Sequence, residues 1–324
     1  MKTKFSEAVG ISVPIVQGAM QWYSRAELCA AVSKAGGLGI MTAKTFESAE
    51  DLRAEIIAVR KQTDKPFAVN ISMLPEHAAE APPDDYFKVC IEEQVPVIET
   101  AGRKPDQFID MIKKAGIFLM HKVPAVRYAL SAQKIGVDAV TLVGTECGGH
   151  PGMDGVSTLV TINKARRELS IPFLAGGGIS DGNAMVAALA LGASGVVMGT
   201  RFLLSQELHL PEAFKARLLA AQETDTMLVL NSLRNTMRSF ANKTAMQCRE
   251  LEDGGASLEE LLPVISGRRG LQAMQDDNPD DGLLALGQCV GTIDEVLPVS
   301  EIIARTMDEA KDALSRLNAM WEAE

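Results

Sequence analysis

Large aromatic rings are scarce in this 324-residue chain, which has two tryptophans, Trp22 and Trp321, and three tyrosines. So few flat faces leave little on which to stack nucleobases. The acidic balance, formally −10, likewise argues against nucleic acid and anionic membrane as partners. Cysteine is sparse as well. Cys29, Cys90, Cys147, Cys248 and Cys289 are odd in number, widely scattered and without CxxC or metal-ligand spacing, which fits a reducing cytoplasm better than a disulfide framework. No apolar run is long enough to span a bilayer, and the amino-terminal "MKTKFSEAVG" lacks a signal-peptide core. A cytoplasmic location without membrane insertion is expected. Only four histidines occur, at 77, 121, 150 and 209; none has a partner at i+2 to i+5 and HExxH is absent, so no metal site is expected. GxGxxG is also missing, since "GGGISDG" and "GGLGIM" have the wrong spacing for a Rossmann dinucleotide site.

The residues present describe an ordinary globular protein, 47% apolar and 23% charged, long enough for one large α/β barrel or two domains. Eight short apolar runs read as strands: 14–19, 38–43, 67–72, 95–100, 117–123, 139–144, 172–177 and 195–200. Each is nearly continuous in apolar residues, as parallel strands covered on both faces require. Amphipathic segments such as "RAELCAAVSKAG" and "AEDLRAEIIAVRKQT" lie between them. Eight strand–helix units in about 200 residues match a (β/α)8 TIM barrel, with a doubly wound open sheet as the competitor. After residue 205 the pattern reads as helices without strands, interrupted by the polar loop 275–287, and a last helix is capped by Ser300 with Glu301 just inside. The expected organisation is a barrel of residues 1–209 and 296–324 with an inserted helical subdomain, 210–295, on the substrate side.

Function in such a barrel gathers at the carboxyl ends of the strands. Gly18-Ala19-Met20 ends the first strand, Asn70 the third, and His121-Lys122 the fifth. "GTECGGHPG" follows the sixth, bringing Cys147, Gly149 and His150. The seventh ends in Gly176-Gly177-Gly178 ahead of Ser180-Asp181, and the eighth in Gly199-Thr200. Loops after strands seven and eight, each leading into a helix, make a phosphate cradle of exposed N–H groups; glycines serving only tight turns would look the same. A lysine at position 122 is costly unless it meets an anion, such as a phosphate or an electron-rich ring, or keeps its head in solvent. Asn70 offers donor and acceptor to a heterocycle edge, or caps the next turn. His150 reads as a ligand-facing acid or base, or as a turn residue, and the metal reading is poor. Cys147 as a nucleophile would have only His150 as a base. An isomerase or lyase of sugar phosphates would need paired carboxylates or a Schiff-base lysine, for which Glu99 and Lys122 are the candidates.

Together "PIVQGAMQW", "AGGLGIMTA", "FAVNISMLP", "HKVPAVRYA", "GTECGGHPG", "LAGGGISDG", "ALALGASGVVMGTRFL" and "NSLRNTMRS" resemble the nitronate monooxygenase superfamily, formerly called 2-nitropropane dioxygenases, from residue 5 to the last helix. The resemblance implies an FMN-dependent oxidoreductase whose flavin lies between barrel and helical domain. It assigns Gly18, Ala19 and Met20 to the isoalloxazine through backbone, and Asn70 and Lys122 to its polar edge and N1–C2 region. Gly149, Gly177, Gly178, Gly199 and Thr200 would surround the ribityl phosphate, and His150 would be the catalytic residue facing the substrate. The superfamily divides by reaction. Nitronate monooxygenases oxidise alkyl nitronates through FMN and then use O2; a second branch reduces quinones with NADH or NADPH; a third reduces enoyl-acyl carrier protein substrates. Some nitronate monooxygenases carry substrate-pocket tyrosines in the helical domain, whereas this chain has none after Tyr128, which raises the quinone reductase reading. Pro75, ending "NISMLP", is in a loop that would meet a nicotinamide in that branch. Nitronate oxidation is the expected activity and NAD(P)H:quinone reduction the alternative; an oligomer is possible.

Overall fold

The computed structural model describes residues 1–73 and 83–322. Eight strands form one parallel sheet: β1 (Ile15–Gln17), β2 (Gly39–Thr42), β3 (Phe67–Met73), β4 (Val97–Gly102), β5 (Phe118–Val123), β6 (Ala139–Val143), β7 (Phe173–Gly176) and β8 (Val196–Met198). Each falls within two residues of an apolar run in the sequence. A short helix, α1 (Lys4–Val9), precedes them. Along the barrel run α2 (Ala26–Lys34), α3 (Ala49–Gln62), α4 (Pro83–Glu92), α5 (Ile109–Lys114), α6 (Val126–Ile135), α7 (Thr158–Glu168) and α8 (Gly182–Ala190). After β8 come α9 (Thr200–Leu203), α10 (Glu212–Leu219), α11 (Lys243–Asp253), α12 (Leu258–Ile265), α13 (Gly267–Gln275) and α14 (Val299–Glu322).

The strands pair in the order β1-β8-β7-β6-β5-β4-β3-β2. The remaining seam, between β1 and β2, closes through the amide of Gln17 to Leu38 O at 3.0 Å and of Leu38 to Ile15 O at 2.9 Å. Where the ladder stops, a side chain continues it: Gln17 Oε1 accepts the Ile40 amide at 3.0 Å. Eight parallel strands closed in this way, with helices outside, are a (β/α)8 barrel. Alternation along each strand then divides the side chains. Val16, Leu38, Ile40, Ala68, Val97, Met120, Ala139, Leu174 and Val197 fill the lower interior, and Phe5, Val9 and Ile11 plug its amino end. The opposite faces, such as Ile15, Val69, Ile98, Leu119 and Val140, pack under the helices.

Two expectations need correction. The segment after residue 205 is not purely helical, because Thr226–Val229 (β9) and Met237–Phe240 (β10) form an antiparallel pair. These strands are four residues long, and the turn between them is built without glycine; Leu230 and Arg234 take φ of 63° and 53° instead. The usual hairpin signal of Asn-Gly or Asp-Gly is therefore absent. A small core of Val229, Leu230, Ala245, Cys248, Leu261 and Val264 lies beneath the pair. Ser300 does not cap the last helix, which begins one residue earlier. The Glu207 carboxylate receives the Val299 amide at 2.9 Å, so the cap comes from a residue 92 positions away.

Helix α2 lies hard against β2, since a methyl group at Gly39 would sit 2.0 Å from the Cys29 carbonyl oxygen. Gly39→Ala is expected to cost about 3 kcal/mol by overpacking, read as a lower midpoint in urea. An unchanged midpoint would contradict this packing.

Candidate active site

Above the apolar layer the barrel interior turns polar. Asn70, Glu99, Lys122 and Thr141 follow Ala68, Val97, Met120 and Ala139 by two residues on adjacent strands, so all four point inward at the carboxyl end. Glu99 is fully buried. Its Oε2 accepts Asn70 Nδ2 at 2.7 Å and Lys122 Nζ at 3.2 Å, and its Oε1 accepts Thr141 Oγ1 at 3.4 Å. Lys122 thus meets an anion, but that anion is a carboxylate of the protein, a partner that sequence reasoning left for a different chemistry. One consequence concerns Asn70. A carboxylate in an ion pair only accepts, so the amide nitrogen must face it and Oδ1 is turned the other way. The upper interior therefore offers an acceptor, Asn70 Oδ1, beside the cationic head of Lys122, whose side chain retains 24% exposure. Thr42 aligns with Asn70 across β2 and β3, and its buried hydroxyl has no partner among the described residues. No sequence motif marks Thr42 or Glu99; only the two-residue step above the apolar interior picks them out.

The turn after β1 is held from both sides. The Gly18 amide donates to Met198 O at 2.8 Å and the Met20 amide to Ser24 Oγ at 2.8 Å, while Gly18 O accepts from Gln17 Nε2. Of the three residues expected to offer backbone, Ala19 alone keeps an N–H without a partner among the described residues. Gly18 instead permits close approach, its missing Cβ lying 3.4 Å from Gly199 Cα.

The loops after β7 and β8 carry amides in a cluster. Gly177 and Gly178 take φ of 96° and 74°, and their N–H groups, with those of Gly199 and Thr200, have no backbone partner among the described residues. A methyl group at Gly199 would meet nothing within 4 Å. The Thr200 hydroxyl accepts the Gly287 amide at 3.0 Å and also lies within hydrogen-bonding reach of the Cys289 thiol. Asp181 caps α8 by accepting the Ala184 amide at 2.8 Å, as the helix start at Ser180-Asp181 required.

The loop after β6 is stapled at three points. Glu146 accepts Thr158 N and Oγ1 at 2.9 and 3.0 Å, Gln288 N donates to Glu146 O at 3.0 Å, and Arg238 on β10 donates Nε to Thr145 O at 2.7 Å. Gly149 exchanges both backbone hydrogen bonds with Arg238. Its N–H is therefore committed to β10, which makes Gly149 an anchor of the loop and leaves close approach, rather than donation, as what it offers a phosphate. His150 follows directly and is exposed. Its pKa is nonetheless lowered, first by desolvation from the protein crowded around the ring and then by the Lys122 ammonium. By contrast the Cys147 thiol is pushed up to about 11 by burial, which leaves it no thiolate character near neutral pH and removes it as a nucleophile. His121, on the outer face of β5, shares a 2.8 Å hydrogen bond with Thr100 Oγ1 and is a core residue. Pro75 and His77 lie outside the described residues.

A groove of about 450 Å3 at the opposite end of the barrel, lined by Ala8, Val9, Pro96, Lys113, Phe118 and Asp138, holds only the Lys113–Asp138 ion pair. It gathers no set of groups comparable with the mouth. Among the described residues no cluster of metal ligands occurs, and no helix is long and apolar enough to cross a membrane.

For a group with a phosphate tail and a polar heterocycle, such as the FMN that the motifs imply, the mouth supplies fitting partners: free amides at one side, an orphaned hydroxyl, an acceptor and a cation at the other. A (β/α)8-barrel enzyme with its polar groups gathered at the strand ends is the class that fold and site define. The chain belongs to the nitronate monooxygenase family, whose sequence model matches residues 2–309. It is 31% identical, over 78% of its length and 81% of the other, to a probable nitronate monooxygenase of Staphylococcus aureus strain Newman. It is also 31% identical, over 99% and 98%, to (3aS,4S,5R,7aS)-5-hydroxy-7a-methyl-1-oxo-octahydro-1H-indene-4-carboxyl-CoA dehydrogenase of Rhodococcus jostii. Among solved structures, FabK of Thermotoga maritima superposes with a TM-score of 0.91 at 35% identity, covering 99% of both chains. Nitroalkane oxidase of Streptomyces ansochromogenes superposes with a TM-score of 0.83 at 25% identity, over 97% of this chain and 99% of the other. The protein is an oxidoreductase.

Burial lowers the His121 pKa to about 4, outweighing the Glu99 charge and the Thr100 hydrogen bond that oppose it, with a lesser lowering contribution from the Lys122 charge. The unfolded chain then binds a proton that the folded chain refuses, so stability falls as pH drops from about 6.5 towards 4. His121→Gln should remove about 2 kcal/mol of the stability difference between pH 7 and pH 5, measured by urea unfolding at both. Identical pH slopes in the two proteins would refute the assignment.

Proposed function

We propose that this protein is an FMN-dependent oxidoreductase that oxidises alkyl nitronates with O2. The observation that carries the reading is the pairing at Glu99, which turns the Asn70 carbonyl outward beside Lys122. Acceptor next to cationic donor complements an imide edge, in which an N–H stands beside a carbonyl oxygen, and such an edge is the polar end of a flavin. Free amides of Gly177, Gly178, Gly199 and Thr200 suit the phosphate, and the free Ala19 amide suits a flat heterocycle. Bound FMN would supply the electron transfer to O2. The protein's part is to hold the ring, keep a positive charge near its pyrimidine edge through Lys122, and place substrate against it with His150. With its pKa depressed, His150 is neutral at pH 7 and holds one N–H to donate and one nitrogen to accept a proton. In this reading residues 1–209 and 296–324 form the flavin-binding barrel and 210–295 cover the substrate side.

A second reading is reduction of quinones by NADH or NADPH at the same site, favoured by the lack of tyrosine after Tyr128. Reduction of an enoyl-acyl carrier protein substrate is a weaker third.

Purified protein should be yellow and release FMN on denaturation, and a colourless protein that cannot be reconstituted would end the flavin reading. Mixed anaerobically with an alkyl nitronate, NADH or NADPH in separate experiments, the flavin should bleach with the nitronate. Rapid bleaching by a nicotinamide and none by nitronate would move the protein to quinone reduction. His150→Asn should retain FMN yet lose at least tenfold in turnover at pH 7, together with the acidic limb that lies below pH 6.5 in the wild type. Kinetics unchanged across pH would make His150 a turn residue only.

A further inference from the structure

Among the described residues Glu99 is the carboxylate on the inward faces of the upper strands, and it shares its oxygens among a cation and two neutral donors. A fully buried carboxylate is tolerated only when such partners replace its water. For the packing alone, an uncharged acceptor at this position would satisfy Asn70 and Thr141 equally well. What a charge adds is an effect on Lys122, whose ammonium lies 3.2 Å away and whose side chain keeps 24% exposure at the mouth. Among the other titratable groups described near this level, His121 points to the outer face of β5, His150 is kept neutral near pH 7, and the oppositely charged Glu146 and Arg238 are both tied into the loop after β6, on Thr158 and on Thr145 O. Glu99 and Lys122 together present almost no net charge, whereas Lys122 alone would present a full positive one in a medium that screens poorly.

We propose that Glu99 is a positioning residue that restrains the Lys122 charge and so holds down the two-electron reduction potential of the group bound above it. The inference rests on the flavin reading given above. Reduction adds negative charge to the bound ring, an uncompensated cation near its pyrimidine edge would favour that state, and a countercharge would oppose it. The carboxylate therefore keeps the bound group a readier electron donor to O2, at the expense of its strength as an acceptor from substrate.

The test is the midpoint potential of the flavin-bearing protein, set by equilibrium with a reference dye during slow reduction. Glu99→Gln, which preserves shape and removes charge, should shift that equilibrium towards reduced flavin at least tenfold, a rise of about 30 mV for a two-electron couple. Glu99→Asp retains the charge one methylene further from Lys122 and should give a smaller rise, and it carries the test if the glutamine variant does not fold. In a Lys122→Met background the Glu99→Gln shift should disappear, which a purely structural role for Glu99 does not predict. An unchanged potential in a folded, flavin-loaded variant, or a shift undiminished without Lys122, overturns the proposal while leaving the flavin reading intact. A wild-type protein that binds no flavin overturns both.

Discussion

A carboxylate with three donors, buried where the barrel interior changes from apolar to polar, organises the mouth of this protein. Below it nine apolar side chains and the α1 plug fill the barrel, leaving its interior without polar groups to hold a ligand. Above it the strands diverge into loops, and each inward side chain must either find a partner or face a ligand. Glu99 divides those roles. It takes the Asn70 amide nitrogen and thereby exposes the carbonyl, and it takes the Lys122 head without burying it completely. The chemical pattern met by a ligand is therefore fixed before any ligand arrives, the preorganisation that electrostatic catalysis needs.

The segment between residues 210 and 295 contributes by restraint. Arg238 lies on β10, pairs its backbone with Gly149 and reaches Thr145 through its guanidinium, while Gln288 and Gly287 grip the loops after β6 and β8. His150 thus sits one residue beyond a two-sided backbone clamp. A histidine on a loop of small residues would otherwise sample many positions, and its value as a proton donor or acceptor depends on not doing so. The same clamp explains why so many glycines are gathered here: at Gly148 a methyl group would meet Gly287 N at 2.7 Å, so the two chains can lie together only without side chains.

Much of this was legible in the sequence, for identifiable reasons. Parallel strands covered on both faces are continuous apolar runs, so all eight stood out, and the glycines after β7 fall where the backbone takes positive φ at Gly177 and Gly178. The β9–β10 hairpin was hidden because its turn uses Leu230 and Arg234 at positive φ where glycine is usual, and the cap on α14 because Glu207 supplies it from across the fold. Thr42 was missed, and Glu99 was weighed only for sugar-phosphate chemistry, because their significance is positional. Each sits two residues above an apolar interior neighbour, and only strand register reveals that both share a level with Asn70 and Lys122. That the N–H groups of Gly149, Gly18 and Met20 are already taken was not legible, since their partners come from distant strands and side chains.

The most direct measurement is a high-resolution crystal structure of the protein soaked with FMN. The account places the phosphate on the amides of Gly177, Gly178, Gly199 and Thr200, with the imide edge of the ring meeting Asn70 Oδ1 and Lys122 Nζ while Glu99 keeps its three donors. Flavin density in the groove at the amino ends of the strands, or in the mouth with Lys122 withdrawn from Glu99 and the Asn70 amide reversed, would contradict it.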